Sequence, residues 1–321
     1  MSETATDIGL ETAVPPRDVV GYGPEPPELR WPGGARLAVN VVINYEEGSE
    51  ASPLQGDTNV ETLVEAPYVV PEGTRNLFLE STYEFGSRVG IWRLLALLDR
   101  LEVTPTFFAC AQALELNPAV TAALVERGCD VVGHGYRWRQ HINMTPAEQA
   151  EDVARCKAKL ESLTGRPMLG WFTRPPNTDH THRILVENDV AYDCGAVNDD
   201  VPYFVPVEGR PLLEVPYSLD VNDIRFWKGQ ISTANEFEEY IKAAFDVLYA
   251  ESAETPRMLS IGLHPRVVGR PARLRGLERA LQHIVGHDEV WIAGRDEIAR
   301  FWSSELGPAD AWHRDRLAAA S

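Results

Sequence analysis

The sequence predicts an α/β protein whose parallel strands curl into a barrel. Three observations carry this. From Arg36 onward, strand-like and helix-like patterns alternate along the chain. The strand-like runs are short, apolar and rich in β-branched residues, as parallel strands covered on both faces are. Polar residues then recur where these runs end: Glu46-Glu47, His134, Arg174, Asp193 and His264. In a barrel of parallel strands all C-terminal ends face one rim, and chemistry is built there. An open doubly wound sheet is the alternative, but no G-x-G-x-x-G follows a strand.

Leu37–Tyr45 is a nearly continuous apolar run and reads as the first strand. Ser87–Arg100 places Val89, Trp92, Leu95 and Leu98 at helical spacing. Thr104–Ala109 is short, β-branched and aromatic, hence a strand. Ala119–Arg127 is a helix ended by Gly128, and Asp130–Gly133 a strand. Thr145-Pro-Ala-Glu148 has the form of a capping box with Pro at the first helical position, opening a helix to about Leu163. Strands follow at Leu169–Phe172, Val190–Cys194, Leu212–Tyr217, Met258–Leu263 and Glu289–Ala293. Helices follow at His180–Asn188, Glu236–Glu251, Arg273–Val285 and Arg295–Trp302. Residues 1–34, rich in Pro and Gly, read as an extended arm. Residues 35–305 form one domain and 306–321 a tail. Two stretches, Ser49–Phe85 and Asn198–Arg210, read as loops that wall the site or meet a second copy.

The chain has 321 residues, a length that α/β barrels reach as one domain. Net charge is -18, which disfavours nucleic acid and anionic membrane as partners. The N-terminus carries no basic region followed by an apolar stretch, and no run approaches the roughly 20 apolar residues of a bilayer span. A cytoplasmic protein is expected. Its four cysteines form no C-x-x-C pair, so buried reduced thiols are expected rather than a zinc ribbon.

Glu46-Glu47 at a strand end pairs one carboxylate that accepts a proton from water with another that binds a metal or orients the base. Asp193 reads as catalytic or as an inward structural carboxylate. Trp92, Trp291 and Trp302 read as core. Trp171, Tyr217 and Trp227 sit nearer strand ends or loops, where they would contact a ring. Arg266 and Arg270 would bind a carboxylate or ureide, or form salt bridges at an interface.

Asn44-Tyr-Glu-Glu-Gly48, His134-Gly-Tyr-Arg-Trp138, the segment at Arg174-Pro-Pro176 and Leu263-His264 match in order the motifs of the polysaccharide deacetylase (NodB-homology) family. The resemblance runs from about Gly21 to Trp302. It implies a distorted (β/α) barrel, here of about seven strands, that hydrolyses N-acetyl amides, usually with a divalent metal. Two departures stand out. Glu46 and Glu47 occupy the place of two aspartates, and Trp138 takes the place of the second metal-binding histidine.

The detail resembles one branch of that family. Tyr22-Gly23, Trp31–Arg36, Asn44–Glu50, Tyr83–Arg88, Pro216–Asp220 with Asn222-Asp223, and Gly269-Arg-Pro271 are similar to the metal-independent allantoinase and cyclic-imide hydrolase type. Members of that branch open a small ring at an amide or ureide bond and form tetramers. The resemblance therefore implies a small cyclic substrate, no cofactor and a homotetramer. Glu46 would be the general base and His264 the acid that protonates the leaving nitrogen. Arg174, His134 and backbone N–H groups would stabilise the oxyanion. Glu47, His134, Trp138, Trp171, Tyr217 and Arg266 would line the substrate. A zinc-dependent sugar deacetylase is the alternative, with Glu47, His134 and His141 as its ligands; a barrel that binds without catalysis is the third. Thr173–Asp179 departs from the allantoinase pattern, so a different cyclic substrate is compatible.

Overall fold

The computed structural model describes residues 17–24, 26–62, 68–307 and 317. Most of the expected arm and tail lies outside these residues. The strands are β1 (Leu37–Tyr45), β2 (Thr106–Ala109), β3 (Val131–Gly133), β4 (Gly170–Trp171), β5 (Tyr192–Asp193), β6 (Tyr203–Val207), β7 (Arg210–Glu214), β8 (Arg257–Leu263) and β9 (Val290–Ile292). The helices are α1 (Leu77–Phe85), α2 (Ile91–Arg100), α3 (Ala111–Leu116), α4 (Pro118–Glu126), α5 (Pro146–Thr164) and α6 (Thr181–Glu187). They continue with α7 (Ile224–Trp227), α8 (Ala234–Glu251), α9 (Pro265–Val268), α10 (Pro271–Val285) and α11 (Arg295–Leu306).

The strands form one curled sheet in the order β6-β7-β5-β4-β3-β2-β1-β8, with β9 also on β1. Every pairing is parallel except the β6–β7 hairpin. Among the described residues β6 and β8 do not pair with each other, so the barrel is a half-barrel. The sequence reading placed a loop at Asn198–Arg210. A hairpin forms there instead, because Glu208 (φ 48°) and Gly209 (φ 80°) supply the two positive φ angles of a two-residue turn. The excursion Ser49–Phe85 likewise contains α1, capped by the Asn76 side chain on Leu79 N–H. A π-helical turn at Gly86–Gly90 joins α1 to α2.

Side chains alternate across the pleat. Ala38 and Val42 of β1 face inward with Phe108, Phe172 and Tyr217, whereas Val39, Val41, Ile43 and Tyr45 face outward against Leu94 and Leu98 of α2. Trp302 is core as expected and Trp291 packs against it, but Trp92 is 38% exposed on the outer side of α2. The four cysteines are free and buried. No helix of the described residues is long and apolar enough to cross a membrane.

The open side of the half-barrel is stitched from within by Arg295. Its Nε donates to Asn40 of β1 (2.9 Å), Nη1 to the carbonyls of Val215 and Pro216 (2.7 and 2.9 Å), and Nη2 to Ser260 of β8 (2.6 Å). The segment after β7 then crosses to β8. Gly262 N–H donates to the Val221 carbonyl (2.8 Å) and Asp223 N–H to the Gly262 carbonyl (2.9 Å). Gly262 is required here, since a Cβ would lie 2.1 Å from the Tyr217 hydroxyl.

At the opposite end of the barrel, half-buried Asp130 and buried Asp296 lie side by side, with Asp130 Oδ2 accepting from Asp296 N–H (3.0 Å). Burial, then the Asp296 charge, pushes Asp130 up to about 8 from 3.8. Between those two values the folded chain keeps a proton that the unfolded chain releases, so stability falls as pH rises through this window. In Asp130→Asn that contribution is gone, and melting temperature should decline less between about pH 5 and pH 8 than in the wild type. Calorimetry at both pH values measures the difference; equal declines would contradict it.

Candidate active site

Glu46 is the first residue past β1, on the inward parity of that strand. The chain turns immediately: Ser49 N–H and Oγ–H both donate to the Glu46 carbonyl (3.0 and 2.6 Å), and Gly48 adopts φ 91°. His134 is the first residue past β3, and its N–H donates to the Ala109 carbonyl of β2 (3.0 Å). His264 is the first residue past β8. All three therefore stand on the rim because their strands end there.

The rim brings them together. Glu46 Oε1 lies 3.2 Å from His134 Nε2 and 3.7 Å from His264 Nε2. His134 Nδ1 donates to the Phe172 carbonyl (2.6 Å), and its ring stacks on Phe172 at 4.9 Å. With Nδ1 donating to that carbonyl, which only accepts, His134 turns Nε2 toward Glu46 Oε1. His264 is oriented by Asp223, whose Oδ1 accepts from Nδ1 (2.7 Å) and whose Oδ2 accepts from the His264 and Val268 N–H groups (2.7 and 3.2 Å). With Nδ1 committed to Asp223, His264 presents Nε2 toward Glu46.

Arg266, fully buried, closes the group. Nη2 donates to Glu46 Oε2 (2.5 Å), and Nη1 lies 3.5 Å from Glu47 Oε1. The guanidinium sits over the Tyr83 ring at 4.5 Å, with the Trp138 ring at 5.3 Å. Glu47 Oε2 accepts from Glu46 N–H (3.0 Å). Gly86 lets the π-helical turn pass here, because a Cβ would fall 2.4 Å from Glu47 Oε1. The two carboxyls diverge electrostatically. Burial alone would raise Glu46, but the Arg266 charge and the hydrogen bond from His134 hold it far below 4.5. Burial raises Glu47; Arg266 opposes this only in part, and the Glu46 charge adds to the rise. Glu46 is thus the ionised member of the pair and Glu47 the one that retains a proton more readily.

Other expected site residues fall elsewhere. Arg174 is at the rim, but its guanidinium is held by Glu61 (2.8 and 2.9 Å) and the Trp138 carbonyl (2.8 Å), and lies 3.6 Å over the Trp138 ring. It fixes the Trp138 wall rather than facing Glu46. Asp193 is corrected: it points to the outer face of the sheet, with Asn177 and His182 (3.0 and 3.7 Å) as its side-chain partners. Trp171 is also corrected, since it lies wholly in the outer core with Nε1 on Thr173 (2.8 Å). Tyr217 is 5% exposed, and its hydroxyl accepts from Asn44 and Asn222 (3.1 and 3.2 Å), so it is an interior prop beneath the group. The Trp227 side chain lies outside what the structure describes. Three contributors were given no role in the sequence reading: Asp223 and Tyr83, which lay in segments quoted only for the resemblance, and Glu61.

A family zinc does not fit these residues. Arg266 holds both carboxylates of the first motif, and Trp138 stands where a second histidine would. His141, the expected substitute, pairs with Asp152 (3.1 Å) and lies against Trp171. Among the described residues Glu47, His134 and His141 do not form a converging donor group.

A half-barrel with carboxylate, imidazole and guanidinium gathered at its rim defines a hydrolase class. The polysaccharide deacetylase family model matches residues 74–195. A Schizosaccharomyces pombe protein described as a polysaccharide deacetylase is 35% identical over 312 residues, which span 90% of this chain and 97% of that protein. A crystal structure described as a probable polysaccharide deacetylase from Pseudomonas aeruginosa PAO1 is 42% identical with a TM-score of 0.87, covering 91% of this chain and 99% of that one. The crystal structure of PuuE allantoinase gives the same identity and TM-score over 92% and 99%. The chain belongs to the polysaccharide deacetylase family and is a hydrolase of carbon–nitrogen bonds other than peptide bonds.

Removing the guanidinium exposes the cost of the arrangement. Arg266→Met should destabilise the fold by about 3–5 kcal/mol, because two buried carboxyls lose their counter-charge. Burial then dominates Glu46, its pKa rises, and activity should fall off at higher pH on the acid side than in the wild type. Urea unfolding and a pH–rate profile measure both effects. An unchanged acid limb would show that Arg266 does not set the Glu46 charge.

Proposed function

We propose that the protein opens a small cyclic amide or ureide ring, allantoin-like in class, without a metal. The observation that carries this reading is the Arg266–Glu46 pair facing an Asp223-oriented His264, in a chain 42% identical to a structure titled as an allantoinase. Water positioned between Glu46 Oε1 and His264 Nε2 attacks the ring carbonyl. Glu46, ionised, receives the water proton as it develops. Its weakened basicity favours passing that proton on to His264, which delivers it to the leaving ring nitrogen. Asp223 stabilises the imidazolium that forms in between.

The oxyanion needs donors. Trp138 Nε1 is a buried N–H without a partner among the described residues, beside the Arg174 and Arg266 guanidiniums. It is the donor we assign to that role. A strained or doubly acylated ring nitrogen is a better leaving group than an acetamide nitrogen, which fits a site whose positive charge is a guanidinium rather than a Lewis acid. The second reading is N-deacetylation of an amino sugar, favoured by the names of the deacetylase relatives.

Metal-stripped protein offered allantoin, hydantoin, succinimide and N-acetylglucosamine separates the two. The first reading expects ring opening of at least one cyclic compound at a rate that chelators leave unchanged. Turnover of the acetyl sugar alone, or dependence on added zinc, contradicts it. Glu46→Gln and His264→Ala should each lower kcat/KM by about 10²–10⁴-fold on the active substrate. If both variants keep wild-type turnover, the assignment fails.

A homotetramer belongs to the same proposal. Tyr68, Val69, Leu77 and Phe78 form an exposed apolar set around the start of α1, 54–91% accessible in the single chain, with the Tyr68 and Phe78 rings 5.3 Å apart. Light scattering should return four chains, and Phe78→Glu a smaller species; a monomer throughout would contradict it.

A further inference from the structure

We propose that His182, Asp193 and Glu214 form a binding site for one divalent transition-metal cation on the outer face of the sheet, beneath α6. Asp193 and Glu214 end the neighbouring parallel strands β5 and β7 and are direct register partners. Tyr192 and Leu213, the residues before them, belong to the inner core. The pleat therefore turns both carboxylates outward, where His182 on α6 meets them. His182 Nε2 lies 2.7 Å from Glu214 Oε1 and 3.7 Å from Asp193 Oδ2, and one donor atom from each residue lies within 4.8 Å of the others. This site is on the other side of the sheet from Glu46 and shares no residue with it.

A second observation points to a missing ligand. Glu214 is 2% exposed, and its Oε2 has no hydrogen-bond partner among the described residues. It belongs to the carboxylate that His182 already touches, so it borders the same space. A buried acceptor left unmatched costs stability, and a cation would satisfy it. The charge balance agrees. Glu46 and Glu47 are offset by a guanidinium, but no Lys or Arg of the described residues pairs with Asp193 or Glu214; their common ion partner is His182.

The donors suit a nitrogen- and oxygen-preferring ion such as zinc. Outer contacts are in place: Asn177 Nδ2 donates to Asp193 Oδ2 (3.0 Å) and Cys194 N–H to Asp193 Oδ1 (2.9 Å). His182 is 24% exposed at its side chain and provides the entry. The ion would tie α6 and the Asn177 loop to two strand ends.

The test is calorimetric titration of metal-free full-length protein with zinc chloride, with metal content measured after dialysis. A surface group, Asp246, His283 and His287, also offers three donors, so His283→Ala is the control. The proposal expects one zinc per chain, unchanged in His283→Ala and weakened by at least about tenfold in Glu214→Gln and in His182→Gln. Circular dichroism checks that each variant folds; His182, partly exposed, carries the test should Glu214→Gln unfold. Absence of bound zinc, binding at wild-type strength in both site variants, or loss in His283→Ala alone would overturn it.

Discussion

The buried guanidinium of Arg266 is the contact on which the site depends. Two glutamates in succession at the end of a central strand cannot both be ionised in a buried rim without a counter-charge. Arg266 supplies it unequally, closer to Glu46 than to Glu47. That inequality favours the anion at Glu46 and the protonated form at Glu47. The rest of the rim is arranged around this charge: His134 and His264 approach Oε1 of Glu46, the oxygen Arg266 does not hold, and the Tyr83 and Trp138 rings lie near the cation.

The scaffold explains why these groups meet. β1 is the hub, paired with β2, β8 and β9, so its C-terminal residue stands between the ends of β2 and β8. His264 and Arg266 come from the end of β8 and the short α9 that follows. The half-barrel is not closed by strand pairing among the described residues. Instead the chain after β7 crosses to β8, and that crossing delivers Asp223 to His264. Closure of the fold and orientation of the imidazole are thus one event.

Much of this was legible in the sequence. The apolar run of β1, the capping box of α5 and the polar strand ends placed Glu46, His134 and His264 at one rim, and the structure joins them. Asp193 illustrates where such reasoning stops. A strand end locates a residue along the sheet, but only the parity set by Tyr192 and Leu213 decides the face. Trp171 fails for the same reason. Arg174 met an acid from the long excursion, Glu61, which no local pattern announces. Arg266 was read as a substrate ligand or an interface residue. Its partners lie more than two hundred positions away, and only the β1–β8 pairing brings them together.

The account turns on the ionisation of Glu46, and that can be observed directly. Carbon-detected NMR of protein labelled at glutamate side-chain carboxyls, assigned by difference against Glu46→Gln, follows this one group through a pH titration. A Glu46 signal that stays at its ionised position from about pH 4 to pH 9 is what the Arg266 pairing predicts. A signal that titrates within that range would mean the guanidinium does not govern the site.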